Sequence, residues 1–386
     1  MNGHANGTVH DLPKGDAATL TLVQPTREEK LVQWTKNAAS WKGALSLEAY
    51  LRREDYLAGQ DFTRDGGITW WALVDSASEK RRVLAGCESF RKKAVVAQNG
   101  KITESICHGV GSVFCPPEYR GRGYAQRMMR ELAKELRTWQ AEETECLFTV
   151  LWSDIGKQFY ANYGWEPFNS GHISIPASTD EPSSSLPASR ALHARDLADL
   201  CAADEALLRK NLREASTKGK TQVAILPDVQ TIRWHHAREE FVGKEFYGDV
   251  PVVKGAIVGD KPGKRVWCYW TRMWYNTDPR ESKDNTLHIL RLVIEENVDS
   301  DDVVPAIASI LAAARNEAQR WHMAEVEAWN PSADTVEAAR LLHGNAQVIT
   351  RDKESISSML WYGEKGDGGS IVDAIDWVGN EKYGWC

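Results

Sequence analysis

The chain has 386 residues, is 42% apolar and 26% charged, and carries a net charge of -7. That length predicts two domains of a globular protein, and the acidic balance excludes nucleic acid and anionic membrane as bulk partners. No apolar run is long enough for a transmembrane helix, no secretory signal is visible at Met1-Asn2-Gly3-His4, and seven cysteines without a C-x-x-C pair predict free thiols in a reducing cytoplasm. The ten histidines show no zinc spacing; His235 and His236 are adjacent and point different ways on a regular element, so no metal is expected.

Residues 1–18 are rich in Gly, Asn and His and are expected to be disordered. Thr26-Arg27-Glu28-Glu29-Lys30 marks a helix start, with Leu31 and Trp34 on one face, and a second helix is predicted from Ser46 to about Leu57. Strands are predicted at 68–74, 82–90, and 94–98 or 102–107, then at 108–115. A helix over 124–138, a strand over 146–152, a helix over 154–163 and short strands near 165–168 and 171–175 complete a first unit, 19–176. Residues 177–190 lie in a Pro/Ser-rich linker, Pro176 to Ser189. The second unit, 191–386, repeats the α/β order. Helices are predicted at 195–208, 228–241, 303–321 and 334–342. Strands are predicted at 252–258, 266–274, 287–294 and 324–329, with a final pair at 346–349 and 358–362. The tail from Ile371 carries Trp377, Tyr383 and Trp385, and is expected to pack back on a domain surface.

The most informative stretch is Pro116-Pro117-Glu118-Tyr119-Arg120-Gly121-Arg122-Gly123-Tyr124-Ala125. A strand feeding such a turn into a helix start leaves backbone amides without partners, at the positive end of the helix dipole. Glycines admit a close approach, and Arg120 and Arg122 add full charges, which makes a diphosphate cradle. The Lys-Ser or Lys-Thr of a Walker loop is missing after Gly123, and so is the third glycine of a dinucleotide fingerprint at position 126.

What stands there is Arg120-x-x-Gly123-x-Ala125, and downstream comes Phe159-Tyr160-Ala161-Asn162-Tyr163-Gly164-Trp165. Together they resemble the coenzyme A motif and the F-Y-x-x-x-G-F signature of the GNAT acetyltransferase superfamily. The resemblance implies a GNAT-type fold for the first unit: a mixed, mainly antiparallel sheet flanked by helices. The second unit is expected to be a degenerate GNAT-like α/β domain without a cofactor motif, since Asp299, Asp301 and Asp302 stand where a diphosphate would have to bind. The unit order, the opening Thr26-Arg27-Glu28-Glu29-Lys30 and the ending Asn380-Glu381-Lys382-Tyr383-Gly384-Trp385-Cys386 resemble the fungal L-lysine N6-acetyltransferase family. That implies an enzyme of lysine catabolism acetylating the ε-amine of free lysine with acetyl-CoA. Another small amine, a protein lysine, or a non-catalytic acyl-CoA-binding role are the alternatives.

The resemblance assigns cofactor binding to Val113, Phe114 and Cys115 of the strand and to Arg120, Gly121, Arg122, Gly123, Tyr124 and Ala125 of the turn. It assigns protonation of the leaving thiolate to Tyr160, a donor at neutral pH. For the base, His108 comes first by its chemistry, then Glu88, then Glu104, with a water relay as the alternative to any single base. Cys107 and Cys115 read as packing rather than nucleophiles. Arg91-Lys92-Lys93 reads as a solvated strand end or a contact for the cofactor's 3'-phosphate. Of the sixteen tryptophans, Trp70 and Trp71 face opposite sides of a strand, and Trp267, Trp270 and Trp274 read as core, one or two of the set offering a wall for an alkylammonium. Arg272, Arg291 and Glu327 are candidates for the charged ends of a lysine acceptor.

Overall fold

The computed structural model describes residues 12–78, 81–179, 185–363 and 369–386. Residues 1–11 of the start and 180–184 of the linker lie outside them. The first half runs β1 (Leu20–Val23), α1 (Arg27–Trp41), α2 (Leu47–Ala58), β2 (Ile68–Asp75), β3 (Val83–Gln98), β4 (Lys101–Phe114), α3 (Tyr124–Glu135), β5 (Cys146–Ser153), α4 (Gln158–Ala161), β6 (Glu166–Pro167) and β7 (Gly171–Pro176). The second runs β8 (Ser189–Leu192), α5 (Leu197–Ala215), β9 (Thr221–Ile225), α6 (Val229–Tyr247), β10 (Gly255–Val258), β11 (Val266–Met273), β12 (Thr286–Ile294), α7 (Ser300–Arg320), β13 (Glu325–Trp329), α8 (Ala333–Leu342), β14 (Val348–Thr350), β15 (Ile356–Trp361), α9 (Ile371–Ala374) and β16 (Ile375–Trp377).

Local chemistry accounts for the boundaries. Thr26 and Glu29 exchange hydrogen bonds in a capping box that starts α1, and Ser46 caps α2. Gly248, at φ +71°, ends α6 in the left-handed region that a side chain resists. β3 and β4 form one long hairpin rather than shorter strands, because Asn99 and Gly100, at φ +51° and +77°, make the tight two-residue turn.

The two sheets have one plan. The first is ordered β1-β2-β3-β4-β5-β15-β6 and the second β8-β10-β11-β12-β13-β7-β14. In each, the fourth and fifth strands in that order are parallel (β4 with β5, β12 with β13) and the flanking pairs are antiparallel. Both halves are therefore α/β units built on a mixed, mainly antiparallel sheet. β15, from the second half, inserts beside β5, and β7, from the first, inserts beside β13. The strands predicted at 346–349 and 358–362 consequently do not pair with each other: β14 pairs with β7, and β15 with β5 and β6. The break expected at 177–190 does not divide the sheets. β3 pairs with β2 along its first half and with β9 along its second, with β16 beyond β9.

The cores cross the same divide. Trp34, Ala38, Ala49 and Tyr50 of α1 and α2 are buried in one cluster with Trp270, Leu287, Ile307 and Leu311 of the second half. A separate cluster packs Tyr124, Met128, Met129 and Leu132 of α3 against Trp71, Leu73 and Cys87. Exchanged strands and shared apolar burial make relative motion of the halves costly.

Candidate active site

The turn after β4 has the geometry of an anion cradle. Gly121 and Gly123 sit at φ +77° and +86°, a conformation that side chains strain to adopt, and a Cβ on Gly121 would meet open space. Gly123 is the N-cap of α3 and supplies no side-chain cap; the first rung of the helix is Arg127 N–H to Gly123 C=O, 3.0 Å, so the amides of Tyr124, Ala125 and Gln126 precede it. Arg120 Nε donates to Cys115 O at 3.0 Å, which holds the guanidinium base beside the strand exit. The turn is braced from its carbonyl side by the segment that was expected to be disordered. Gly15 N–H donates to Arg122 O at 2.7 Å, Arg122 Nη1 to Leu12 O at 3.3 Å, and Tyr124 OH to Pro13 O.

Between the parallel strands the sheet opens. β4 and β5 pair only from Ile106–Cys146 to Val110–Leu151, while β4 runs on to Phe114 and β5 to Ser153. A register shift opposite Gly86–Glu88 and a left-handed Ser112, φ +52°, bend β4 at that point. The split leads from the turn into a cavity of about 560 Å³, within the size range of small-molecule sites.

The cavity brings together Glu88, Val113, Cys115, Arg120, Gly121, Gly123, Tyr124, Ala125 and Tyr160. It does not bring in Phe114, whose ring packs on Trp41, or Arg122, which reaches back to Leu12. His108 also lies elsewhere. It is fully buried, its Nε2 is 3.0 Å from Trp139 O, and burial pushes its pKa down to about 4, so it is a neutral packing group. Glu104 is on the surface, paired with Arg209 at 2.6 Å. Lys92 is buried with its ammonium over the Phe62 ring, and Lys93 pairs with Asp228 at 2.7 Å; neither lines the cavity.

Glu88 is different. It is 4% exposed, accepts from Trp34 Nε1 at 3.2 Å and from Ser112 Oγ at 2.8 Å, and faces the cavity. Burial, with Glu54 adding like charge, pushes its pKa up to about 7, where a carboxylate exchanges protons near neutral pH. Tyr160 lines the same cavity against Phe159, 5.0 Å between ring centres, and burial raises its pKa, so it stays protonated. Burial also raises the thiols of Cys107 and Cys115, which leaves them poor nucleophiles.

The far wall comes from both halves: Tyr50, Arg53, Glu54 and Leu57 of α2, and Trp234 and Arg238 of α6. Trp385 and Cys386 reach it because the tail is buried at the seam, with Tyr383 inaccessible and Trp385 stacked on Trp152 at 5.3 Å. The charged residues proposed for the acceptor lie elsewhere. Arg272 is bound to Glu239 and Glu317 at 2.9 and 2.6 Å, Arg291 to Asp204 and Glu381, and Glu327 sits between His172 and His288. They tie core elements together. The sequence held no local signal for Arg53, Glu54 or Arg238, since α2 and α6 meet only in the folded chain. Trp70 does face the cavity, and Trp71 faces Trp139 on the other side, as strand alternation requires.

Among the described residues of the second half, α7 opens on Asp299, Asp301 and Asp302, acidic groups where α3 has the glycine turn. Among the described residues, no group of three or more His, Cys, Asp or Glu is placed to hold a metal, and no helix is long and apolar enough to cross a membrane.

Comparisons with known proteins agree with this fold. The model of the LYC1 GNAT-like C-terminal domain matches residues 172–386, and that of the acetyltransferase (GNAT) domain matches residues 80–168. A lysine acetyltransferase of Yarrowia lipolytica is 26% identical over 317 residues, 72% of this chain and 74% of that protein. Two solved structures share the fold. A GCN5-related N-acetyltransferase of Anabaena variabilis has a TM-score of 0.51 at 16% identity, covering 88% of this chain and 72% of that one. A conserved protein of unknown function from Enterococcus faecalis has a TM-score of 0.52 at 12% identity, with the same coverage.

Proposed function

The chain belongs to the family defined by the LYC1 GNAT-like C-terminal domain, and from that membership we propose that it moves the acetyl group of acetyl-CoA to the ε-amine of free L-lysine, as a step of lysine catabolism. Acetyl-CoA fits the residues present. Arg120 and the amides of the turn would hold its diphosphate, and the unpaired edge at Val113 of β4 and Cys115 just beyond it would hold the arm that passes the split. The group supplies an acetyl thioester, and the protein positions an amine beside it and handles the protons.

An ε-ammonium, with pKa about 10.4, must lose a proton before its nitrogen can attack. Glu88 takes it: the carboxylate is buried in the wall, oriented by Trp34 and Ser112, and ionises near neutrality. Tyr160, kept protonated by burial, gives a proton to the departing sulfur. A cavity of this size walled by both halves favours a small acceptor over a protein segment, and the Yarrowia relative is a lysine acetyltransferase by name. The observation that carries the reading is the pairing of Glu88 and Tyr160 in one cavity that opens onto the Arg120–Ala125 turn.

The test is release of free CoA from acetyl-CoA with a panel of amines: L-lysine, polyamines, amino sugars and a lysine-containing peptide. Turnover is expected with L-lysine above the others. Tight acetyl-CoA binding with no release for any amine would instead indicate a non-catalytic binder.

A further inference from the structure

At the end of the cavity formed by α2 and α6 stand two guanidinium groups in different states. Arg53 is satisfied: its Nη2 and Nε donate to Glu54 Oε1 at 2.6 and 2.9 Å, and Nη2 also reaches Trp41 O at 3.4 Å. Arg238, one helical turn beyond Trp234, lines the same cavity. Among the described residues no carboxylate lies within ion-pair distance of it. Burial disfavours the cation and Arg53 adds like charge; Tyr275, Glu54 and Tyr50 offset these only in part. A guanidinium facing a largely apolar cavity without an anion is an arrangement that a bound carboxylate relieves, with two parallel N–H···O bonds available. Beside it, both bonds from Arg53 fall on one oxygen of Glu54, which leaves Oε2 for a further donor. Tyr50, Leu57 and Trp234 supply apolar surface around these charges.

We propose that Arg238 binds the α-carboxylate of the acceptor and Glu54 Oε2 its α-ammonium, so that the cavity selects an ω-amino α-amino acid over a simple diamine. The assignment rests on the acetyl-transfer reading and adds the residues that determine its specificity. It also moves the carboxylate anchor from Arg272 and Arg291, both committed to internal ion pairs, to a residue on the cavity wall. Positions 53, 54 and 238 are brought together by the packing of α2 on α6.

The experiment compares L-lysine with 1,5-diaminopentane, which lacks only the α-carboxylate, in the full-length wild type and in Arg238→Ala, Arg238→Lys and Glu54→Gln. Wild type is expected to favour L-lysine in kcat/KM by about 10²-fold or more, as a site built to pair a charged group does. Arg238→Ala is expected to collapse that ratio through the KM for L-lysine, with the KM for acetyl-CoA unmoved, and Arg238→Lys to restore part of it. Equal use of the two amines by wild type, or equal losses for both in Arg238→Ala, would overturn the assignment while leaving acetyl transfer intact. If wild type turned over neither amine, the reading of L-lysine as the acceptor would fall. Calorimetry of L-lysine against L-lysinamide would then decide the anchor, since equal binding of the two, or no binding of L-lysine, refutes it.

Discussion

Replacing Glu88 with Gln separates catalysis from stability in opposite directions. In the unfolded chain the carboxyl titrates near 4.5; in the fold, burial and the charge of Glu54 hold it near 7. Between those values the folded state binds more protons than the unfolded one, so the wild type loses stability as the pH rises through that window. The gap of about 2.5 pH units, at roughly 1.4 kcal/mol each, corresponds to about 3 kcal/mol. Glu88→Gln has no charge to bury; its one oxygen can accept from Trp34, and its NH2 can donate to the Ser112 hydroxyl in place of the bond that Oε2 accepts. Relative to the wild type it should therefore gain about 3 kcal/mol between pH 4.5 and pH 8. Over the same range the wild-type rate should rise with a midpoint near 7, and the variant should lose about 10²- to 10⁴-fold in kcat. Urea unfolding at pH 5 and pH 8, together with a pH–rate profile, measures both. A stability difference that is flat with pH, or a variant with a near-wild-type rate, would refute a buried, high-pKa base at this position.

Tyr160→Phe should lower kcat by about 10²-fold with little change in either KM; steady-state kinetics with an unaltered kcat would move the acid elsewhere. His108→Gln should leave the rising limb of the pH–rate profile where it is, because the ring lies outside the cavity and is bound to Trp139. A shifted limb would return His108 to the proton path. At Gly15 an added Cβ would lie 2.5 Å from Gly123 O. Gly15→Ala should therefore disturb the brace behind the turn and raise the KM for acetyl-CoA roughly tenfold while sparing the lysine KM. An unchanged acetyl-CoA KM would show that the brace does not position the turn.

Proton handling shows why some of the site was readable from the residue order and some was not. His108 is a better base than Glu88 by intrinsic pKa, and both stand on adjacent strands, so the residue types favoured the histidine. The fold reverses the order because strand faces and burial set the working pKa. His108 lies under Trp139 and is held neutral, whereas Glu88 faces the cavity and is raised towards neutrality. The long β3–β4 hairpin was within reach of the sequence through Asn99-Gly100, a strong two-residue turn signal. The brace at Gly15 was not, because its composition reads as disorder and its order depends on the carbonyl of Arg122.

The turn after β4 was legible in ten consecutive residues, because its chemistry is local: two glycines in the left-handed region, a helix start and nearby arginines act over a few ångströms of one chain segment. The pattern of two α/β units likewise follows from local periodicity. Tertiary structure alone decided that β7 and β15 change places between the sheets, and that the tail is buried at the seam. It alone brought Arg53 and Glu54 of α2 to Arg238 of α6 around one cavity. These are contacts between segments far apart in the chain, selected by which apolar faces and unpaired strand edges fit together on collapse. No window of sequence contains both partners.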